Sequence, residues 1–363
     1  MAVAIRARAL PLVVLSRELG HNAVRDAARA GLVQVARGVF TPASDGESVW
    51  QRRARFAMAR VVGAARRAGG RAVFSHRTAA LVHGLWTIDD DDEVHTTQRT
   101  KPSRTTPGLR RHVCDLDPAD VTEVNGLRVT TIERTIVDCA KTMHPRDALV
   151  VADSGMRALV RPRRDQPQRT KAEAERLRSR LLAMVLDGSP RGRRQARAVI
   201  EFADPLSESP YETVVRWIAL SRGLPRPVLQ LRCTTDGYTD YPDLAWRAKI
   251  FEDGREIGEL ILLAEYDGED KYLPDLLDPA AARSEISRRI MAERRRHNRL
   301  ASRPSTRVER FDRSDLADEE RVFRRLCAHF PARWVARLRP RPALLGPVRR
   351  REVPRLPRRR ARR

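Results

Sequence analysis

The sequence predicts a multi-domain α+β protein on three observations. Two short alternating apolar runs at 32–35 and 38–40 flank Arg37-Gly38, directly after helix-sized segments. Between 48 and 160, helical and strand-like periods alternate. From residue 211 onward the order helix, strands, helix, strand, helix implies an α/β core with mixed connectivity. The expected units are a small helix-turn-helix with a wing at 1–45, an α/β region at 46–160, a linker with bracing helices at 161–204, an α/β domain at 205–330 and a disordered Arg/Pro-rich tail at 337–363.

In the first unit, helices are expected at 3–10 and 12–19, with Gly20-His21 as the turn. Asn22 would cap a further helix at 23–30 that exposes Arg25 and Arg29, and Gly31 would end it. A winged helix sets such a helix into a major groove while neighbouring arginines, here including Arg37, hold phosphate. A purely helical cap is the alternative reading of the same segment. A long helix follows at 49–68, with Ala54, Met58, Val61, Val62 and Ala65 on one face.

Ser75 and Gly84 bracket a short helix carrying His76 and His83, which read as core or capping histidines, since neither cysteine nor acid completes a metal site. Strands are expected at 93–97 and 109–112 around a basic loop, 99–104. Asn125-Gly126 marks a hairpin tip within 121–129. A helix opens at Thr130 or Thr131, with an i, i+4 ion pair between Arg134 and Asp138. The Pro-punctuated basic stretch 161–168 is the best candidate boundary, and helices at 171–186 and 193–203 would brace the next domain.

The acidic residues of that domain carry its chemistry. A strand at 244–251, a turn at 252–255 with an Asp-Gly signal, and a strand at 257–266 bring Asp243 near Glu265 and Asp267. Glu265 and Asp267 are two apart and share a strand face. Three crowded carboxylates repel unless a cation or protons neutralise them, and oxygen-only ligands with open positions suit Mg²⁺. Asp243 and Asp267-Gly268 also read as plain turn residues. Ser209-Pro210-Tyr211-Glu212 reads as a capping box as readily as a site. The helix at 280–300 presents Arg288, Arg289, Arg294, Arg295, Arg296 and Arg299 beside the acids.

Residues 205–330 resemble the PD-(D/E)XK nuclease superfamily, more narrowly the very-short-patch-repair-endonuclease-like (DUF559-type) domains frequent in actinobacterial proteins. The resemblance rests on Ser209-Pro210-Tyr211-Glu212, Gly223-Leu224-Pro225-Arg226-Pro227, Pro242-Asp243, Glu265-Tyr266-Asp267-Gly268, Lys271-Tyr272 and Arg294 to Leu300. It implies a restriction-endonuclease-like fold with Asp243 and Glu265 holding metal and Glu212 and Lys271 accessory. The chain departs from the pattern where the superfamily places lysine two residues after the second acid: that position is Asp267, and Lys271 lies four further on. The first 160 residues resemble AbiEi-type antitoxins, DNA-binding partners in type IV toxin–antitoxin pairs. That resemblance implies promoter binding and a cognate toxin encoded nearby.

Composition sets limits. Net charge is +24, which suits a polyanion, although 66 of the 71 basic residues are Arg, a skew that a GC-rich genome produces by itself. The tail 337–363 holds twelve Arg against Glu352 alone. Cys114, Cys139, Cys233 and Cys327 lack zinc or disulfide spacing. No leader or membrane-length apolar run is read, so a cytoplasmic protein without membrane or small-molecule cofactor is expected. The aromatic residues form no stacking array, which weakens RNA binding. The expected function is DNA binding with a Mg²⁺-dependent nuclease-like domain in which Asp243, Glu265 and Asp267 bind metal, Lys271 stabilises the phosphorane, and Arg288, Arg295 and Arg299 hold the strand. The alternative is a non-catalytic repressor or antitoxin with a degenerate nuclease fold.

Overall fold

In the first unit, period-two burial wins over helix formation. Val13 and Leu15 are buried while Leu12 is exposed, and Pro11 precedes them. The computed structural model describes residues 5–19, 22–44, 46–88, 92–252, 255–267 and 279–346 and is mixed α+β. Where two helices were expected it has irregular chain over 5–13, strand β1 (Val14–Leu15) and one 3₁₀ turn (Ser16–Glu18). Helix α1 (Ala23–Arg29) and strands β2 (Leu32–Ala36) and β3 (Val39–Pro42) follow, in a sheet ordered β1-β3-β2. A β2–β3 hairpin therefore follows a single α-helix among the described residues; the Gly20-His21 turn lies outside them.

Helix α2 (Val49–Arg67) is fixed at its start by Ser48, whose hydroxyl accepts from the Gln51 N–H at 3.2 Å while the Gln51 side chain accepts from the Ser48 N–H at 2.8 Å. It separates two cores. Ala59 packs with Val13, Leu15, Val35 and Val39; Met58 and Val61 pack with Phe74, Val94 and Val129. The second core belongs to a five-stranded sheet. Its members are β4 (Val73–Phe74), β5 (Val94–Gln98), β6 (Leu109–Val113), β7 (Val121–Val124) and β8 (Leu127–Thr130), with helix α3 (His76–Val82) between β4 and β5. The order is β6-β5-β4-β8-β7, with β5–β6 and β4–β8 parallel. Asn125 (φ 50°) and Gly126 (φ 75°) make the β7–β8 turn, as that dipeptide dictates.

Five helices form the centre: α4 (Ile132–Thr142), α5 (Pro145–Val160), α6 (Pro167–Asp187), α7 (Arg193–Phe202) and α8 (Pro210–Ser221). Their core does not divide at 161–168; one apolar cluster runs from Trp86 through all five helices to Leu344. Helix α5, absent from the expected elements, is its axis, with Ala148 to Met156 all buried. Asp153 on α5 and Arg216 on α8 form an ion pair with both side chains 0% exposed. Thr213 donates to the same Asp153 oxygen at 2.7 Å, and the Asp204 N–H donates to the other at 2.8 Å. Such a pair needs these extra hydrogen bonds to offset desolvation.

The remaining strands are β9 (Val228–Leu229), β10 (Cys233–Thr235), β11 (Tyr238–Asp240), β12 (Leu244–Glu252), β13 (Arg255–Tyr266) and β14 (Thr306–Phe311). The main sheet is ordered β14-β13-β12-β9, with β13–β14 parallel and the other pairs antiparallel; β10 and β11 form a separate hairpin. Leu244, Trp246, Leu262 and Ala264 face the helical core, while Ala245 and Leu263 pack with Leu300 of helix α9 (Pro279–Ala301) on the other face. Helix α10 (Glu319–Cys327) and the short helices α11 (Ala332–Val335) and α12 (Pro342–Leu345) complete the chain.

The expected disorder from 337 is corrected up to residue 346. Leu344 is fully buried, its carbonyl accepts from Trp217 Nε1 at 2.8 Å, and Arg341 donates to the Leu224 carbonyl at 2.9 Å. Gly223 (φ 105°) makes room: a Cβ there would stand 2.5 Å from the Arg339 carbonyl oxygen. Residues 347–363 lie outside the described chain. No helix among the described residues is long and apolar enough to cross a membrane.

Candidate functional site

The β12–β13 ladder sets the geometry of the acids. Leu244 pairs with Ala264, so the next step outward puts Asp243 opposite Glu265, with both side chains on the α9 face. A register shift between Ile250 and Phe251 makes this possible. Without it Asp243 would face Ala264 and its carboxylate would point to the opposite face. One Asp243 oxygen accepts from the Tyr266 N–H at 2.9 Å, which ties the strand ends together.

Glu265 is 5% exposed, and both its oxygens meet guanidiniums. Arg296 of α9 binds one oxygen and Arg310 of β14 binds the other at 3.3 Å. Arg310 is the Cα partner of Glu265 across the parallel β13–β14 pair, so its side chain rises on the same face. Arg296 also binds Glu293 at 3.2 Å and the Tyr241 carbonyl at 3.2 Å, and its Nε lies 3.7 Å from Asp240. Arg310 binds Glu293 as well and lies 4.0 Å from Asp267. Asp240 is chelated by Arg299 at 2.9 and 3.1 Å. The carboxylates hold Arg296 even more firmly in its charged form, against the opposing effect of burial.

Glu212 approaches from the start of α8. The Ser209 hydroxyl accepts from the Glu212 N–H at 3.2 Å, and the Glu212 side chain accepts from the Glu208 N–H at 2.8 Å. The capping interaction is therefore present, with the return bond one residue earlier than in the usual box. Glu212 is also 7% exposed and feels Asp243: burial first, then the Asp243 charge, push its carboxyl up to about 8. Tyr211 stacks on Tyr266 with ring centroids 5.0 Å apart, which seats the start of α8 on the strand end.

The structure thus gathers Glu212, Asp243, Glu265 and Asp267 at one end of the sheet. Lys271 lies outside the described residues. The described groups do not fit a resident Mg²⁺. The Glu265 oxygens are committed to two arginines, and no group of three or more His, Cys, Asp or Glu among the described residues is arranged to hold a metal.

The arginines expected to meet nucleic acid separate into two kinds. Arg25, Arg29 and Arg37 are exposed, and so are Arg288, Arg294 and Arg295. Arg299 instead turns inward to Asp240 and over the Tyr238 ring at 4.7 Å, where it fixes β11 to α9.

A second polar cluster escaped the sequence reading. His76, the first residue of α3, stacks on His112 of β6 with centroids 3.5 Å apart, and His112 Nε2 lies 3.1 Å from His95 Nδ1 on β5. His76 Nδ1 is 2.9 Å from the Ser75 hydroxyl and 4.0 Å from an Asp138 oxygen that is buried without a hydrogen-bond partner. The other Asp138 oxygen accepts from Arg134 at 2.9 Å, and Arg134 also reaches Asp120 at 2.8 Å. Burial, then the neighbouring imidazoles, lowers His76 well below the ordinary histidine range and His112 to about 4. Burial raises Asp138 to about 6. His83 is a structural residue whose Nε2 lies 2.8 Å from the Thr130 carbonyl oxygen. Only the pair of His76 with His83 was visible as spacing; His95 and His112 join through strand pairing. Comparison of the chain with protein-family models, curated sequences and solved structures returned no match.

Proposed function

We propose that the protein binds duplex DNA through its helix-and-wing unit, in the manner of an AbiEi-type repressor or antitoxin. A toxin encoded nearby would be its protein partner, and the nuclease-like domain would add a basic surface. One observation carries this reading. Arg25 and Arg29 on α1 and Arg37 at the wing turn are all exposed and have no side-chain partner among the described residues. Most other arginines close to acids are tied to them, so these three offer cation to an external phosphate. Arg294 and Arg295 on α9 add a second exposed basic face.

The test is fluorescence anisotropy with duplex DNA of the upstream region, in EDTA, as a function of salt. The triple variant R25A/R29A/R37A should weaken binding and lower the slope of log K against log[salt] by about 3, since each phosphate contact contributes about 0.9. An unchanged slope excludes this face as the reader.

A second reading is hydrolysis of DNA with Mg²⁺ at Asp243, Glu265 and Asp267 assisted by Lys271, favoured by the β12–β13 register that brings Asp243 and Glu265 to one strand end. It requires Arg296 and Arg310 to withdraw from Glu265. Plasmid cleavage in Mg²⁺ or Mn²⁺ that D243A and E265A both abolish would establish it.

A further inference from the structure

The acidic end of the C-terminal sheet holds a dense set of carboxylates for which a cation is required. Asp240, Asp243, Glu265 and Glu293 all act on the single guanidinium of Arg296. Arg310 joins Glu265 to Glu293 and approaches Asp267. Three separate elements deliver this arrangement. Glu293 and Arg296 lie one turn apart on α9, Glu265 comes from β13, and Arg310 is its neighbour on β14. Arg310 Nε is buried without a hydrogen-bond partner, so that side chain is held by its carboxylates and not by full satisfaction of its own donors.

We infer that Arg296 and Arg310 are the built-in counter-cation of this cleft, that they close it to divalent metal, and that removing Arg296 turns the same oxygens into a divalent-cation site. Guanidinium does not lose its proton, so no accessible pH frees the carboxylates. Mg²⁺ demands near-octahedral oxygens and gives up water reluctantly, whereas here an ion would have to displace hydrogen-bonded guanidiniums and then remain beside their charge. With Arg296 gone, Asp240, Glu265 and Glu293 lose a shared partner, and a hard dication replaces it. This goes beyond the DNA-binding reading and does not depend on it.

The experiment titrates MnCl₂ alone into the full chain, followed by calorimetry and by the electron paramagnetic resonance of free Mn²⁺. Wild type should show only weak binding that E265Q does not alter. R296M should gain one site at least thirtyfold tighter, and R296M/E265Q should lose it. Sub-millimolar binding by wild type that E265Q abolishes overturns the inference, and so does an R296M variant that folds and gains nothing. Should circular dichroism show R296M unfolded, R310M takes its place with the same two outcomes. DNA binding in EDTA is read separately, so failure of this inference leaves the helix-and-wing proposal standing.

Discussion

The histidine cluster of the middle sheet and the carboxylate cluster of the C-terminal sheet solve the same problem in opposite ways. Both bury several ionisable groups where a helix packs on a sheet. In the first, desolvation prevails: His76 and His112 are held neutral, and Asp138 is drawn toward its protonated form despite Arg134. In the second, pairing prevails: Arg296, Arg299 and Arg310 are laid against Glu265, Asp240 and Glu293. The difference follows from register. Glu265 has an arginine as its parallel-strand neighbour, whereas His112 is paired with Thr97 and finds its partners in two other imidazoles. The exception within the second cluster is Glu212, which behaves like a member of the first.

The comparison breaks outright if the two clusters unfold independently. Asp153 and Arg216 link α5 to α8, and α8 carries Glu212. Arg216→Met leaves Asp153 as an uncompensated buried charge, expected to cost about 3–5 kcal/mol. Because the helical core is continuous, urea unfolding of R216M should remain a single transition, shifted to lower denaturant, with near-ultraviolet and far-ultraviolet signals coincident. Two separated transitions would show the clusters to be carried by independent units.

Glu212 sharpens the contrast. Its folded pKa lies above the unfolded value, so the stabilisation from its neutral form is fully present below the ordinary glutamate range. It is lost as pH rises toward about 8. Replacing it by Gln keeps an acceptor for the Glu208 N–H and removes the titration. E212Q should therefore gain on wild type by about 2 kcal/mol at pH 8 relative to pH 5, at roughly 1.4 kcal/mol per unit of pKa difference, partly relieved by local rearrangement. Equal pH dependence in both proteins would mean that Glu212 is charged in the fold.

How much of this was legible in the sequence differs between the clusters for physical reasons. Asp243, Glu265 and Asp267 were readable because hairpin strands bring sequence neighbours together. Their common face, however, rests on the irregularity at Ile250/Phe251, which only Gly258 inside the strand announces. Arg296 and Arg310 were visible as basic residues but not as partners, since their pairing depends on the rotation of α9 and the register of a parallel strand. Helix α5 was missed because Ala148 to Met156 is buried on every side, Asp153 and Ser154 included, so its burial follows no single helix face. The expected N-terminal helices failed where alternation at Val13 and Leu15 outweighed local helix-forming residues. His95 and His112 come from different strands, and only their assembled sheet makes them a cluster.

The last test falls on the histidine side. His76 and His112 have folded pKa values below their unfolded ones, so the stability they permit is complete above about pH 6.5 and falls as pH drops toward 4. Asp138 acts in the other direction: its raised pKa of about 6 means that the fold takes up a proton there before the unfolded chain does, and this offsets part of the loss. Two groups against one leave a net acid sensitivity of about one proton, to which Arg110 and Arg134 add repulsion toward His76. H112F keeps a flat ring on His76 while removing one titrating group. The slope of stability against pH between 6.5 and 4 should flatten by up to about 1.4 kcal/mol per pH unit, with little change at pH 8, read from urea midpoints at each pH. A slope unchanged by H112F would place the acid sensitivity outside the stacked pair. It would also remove the contrast between a cluster kept neutral by burial and one paired by arginine.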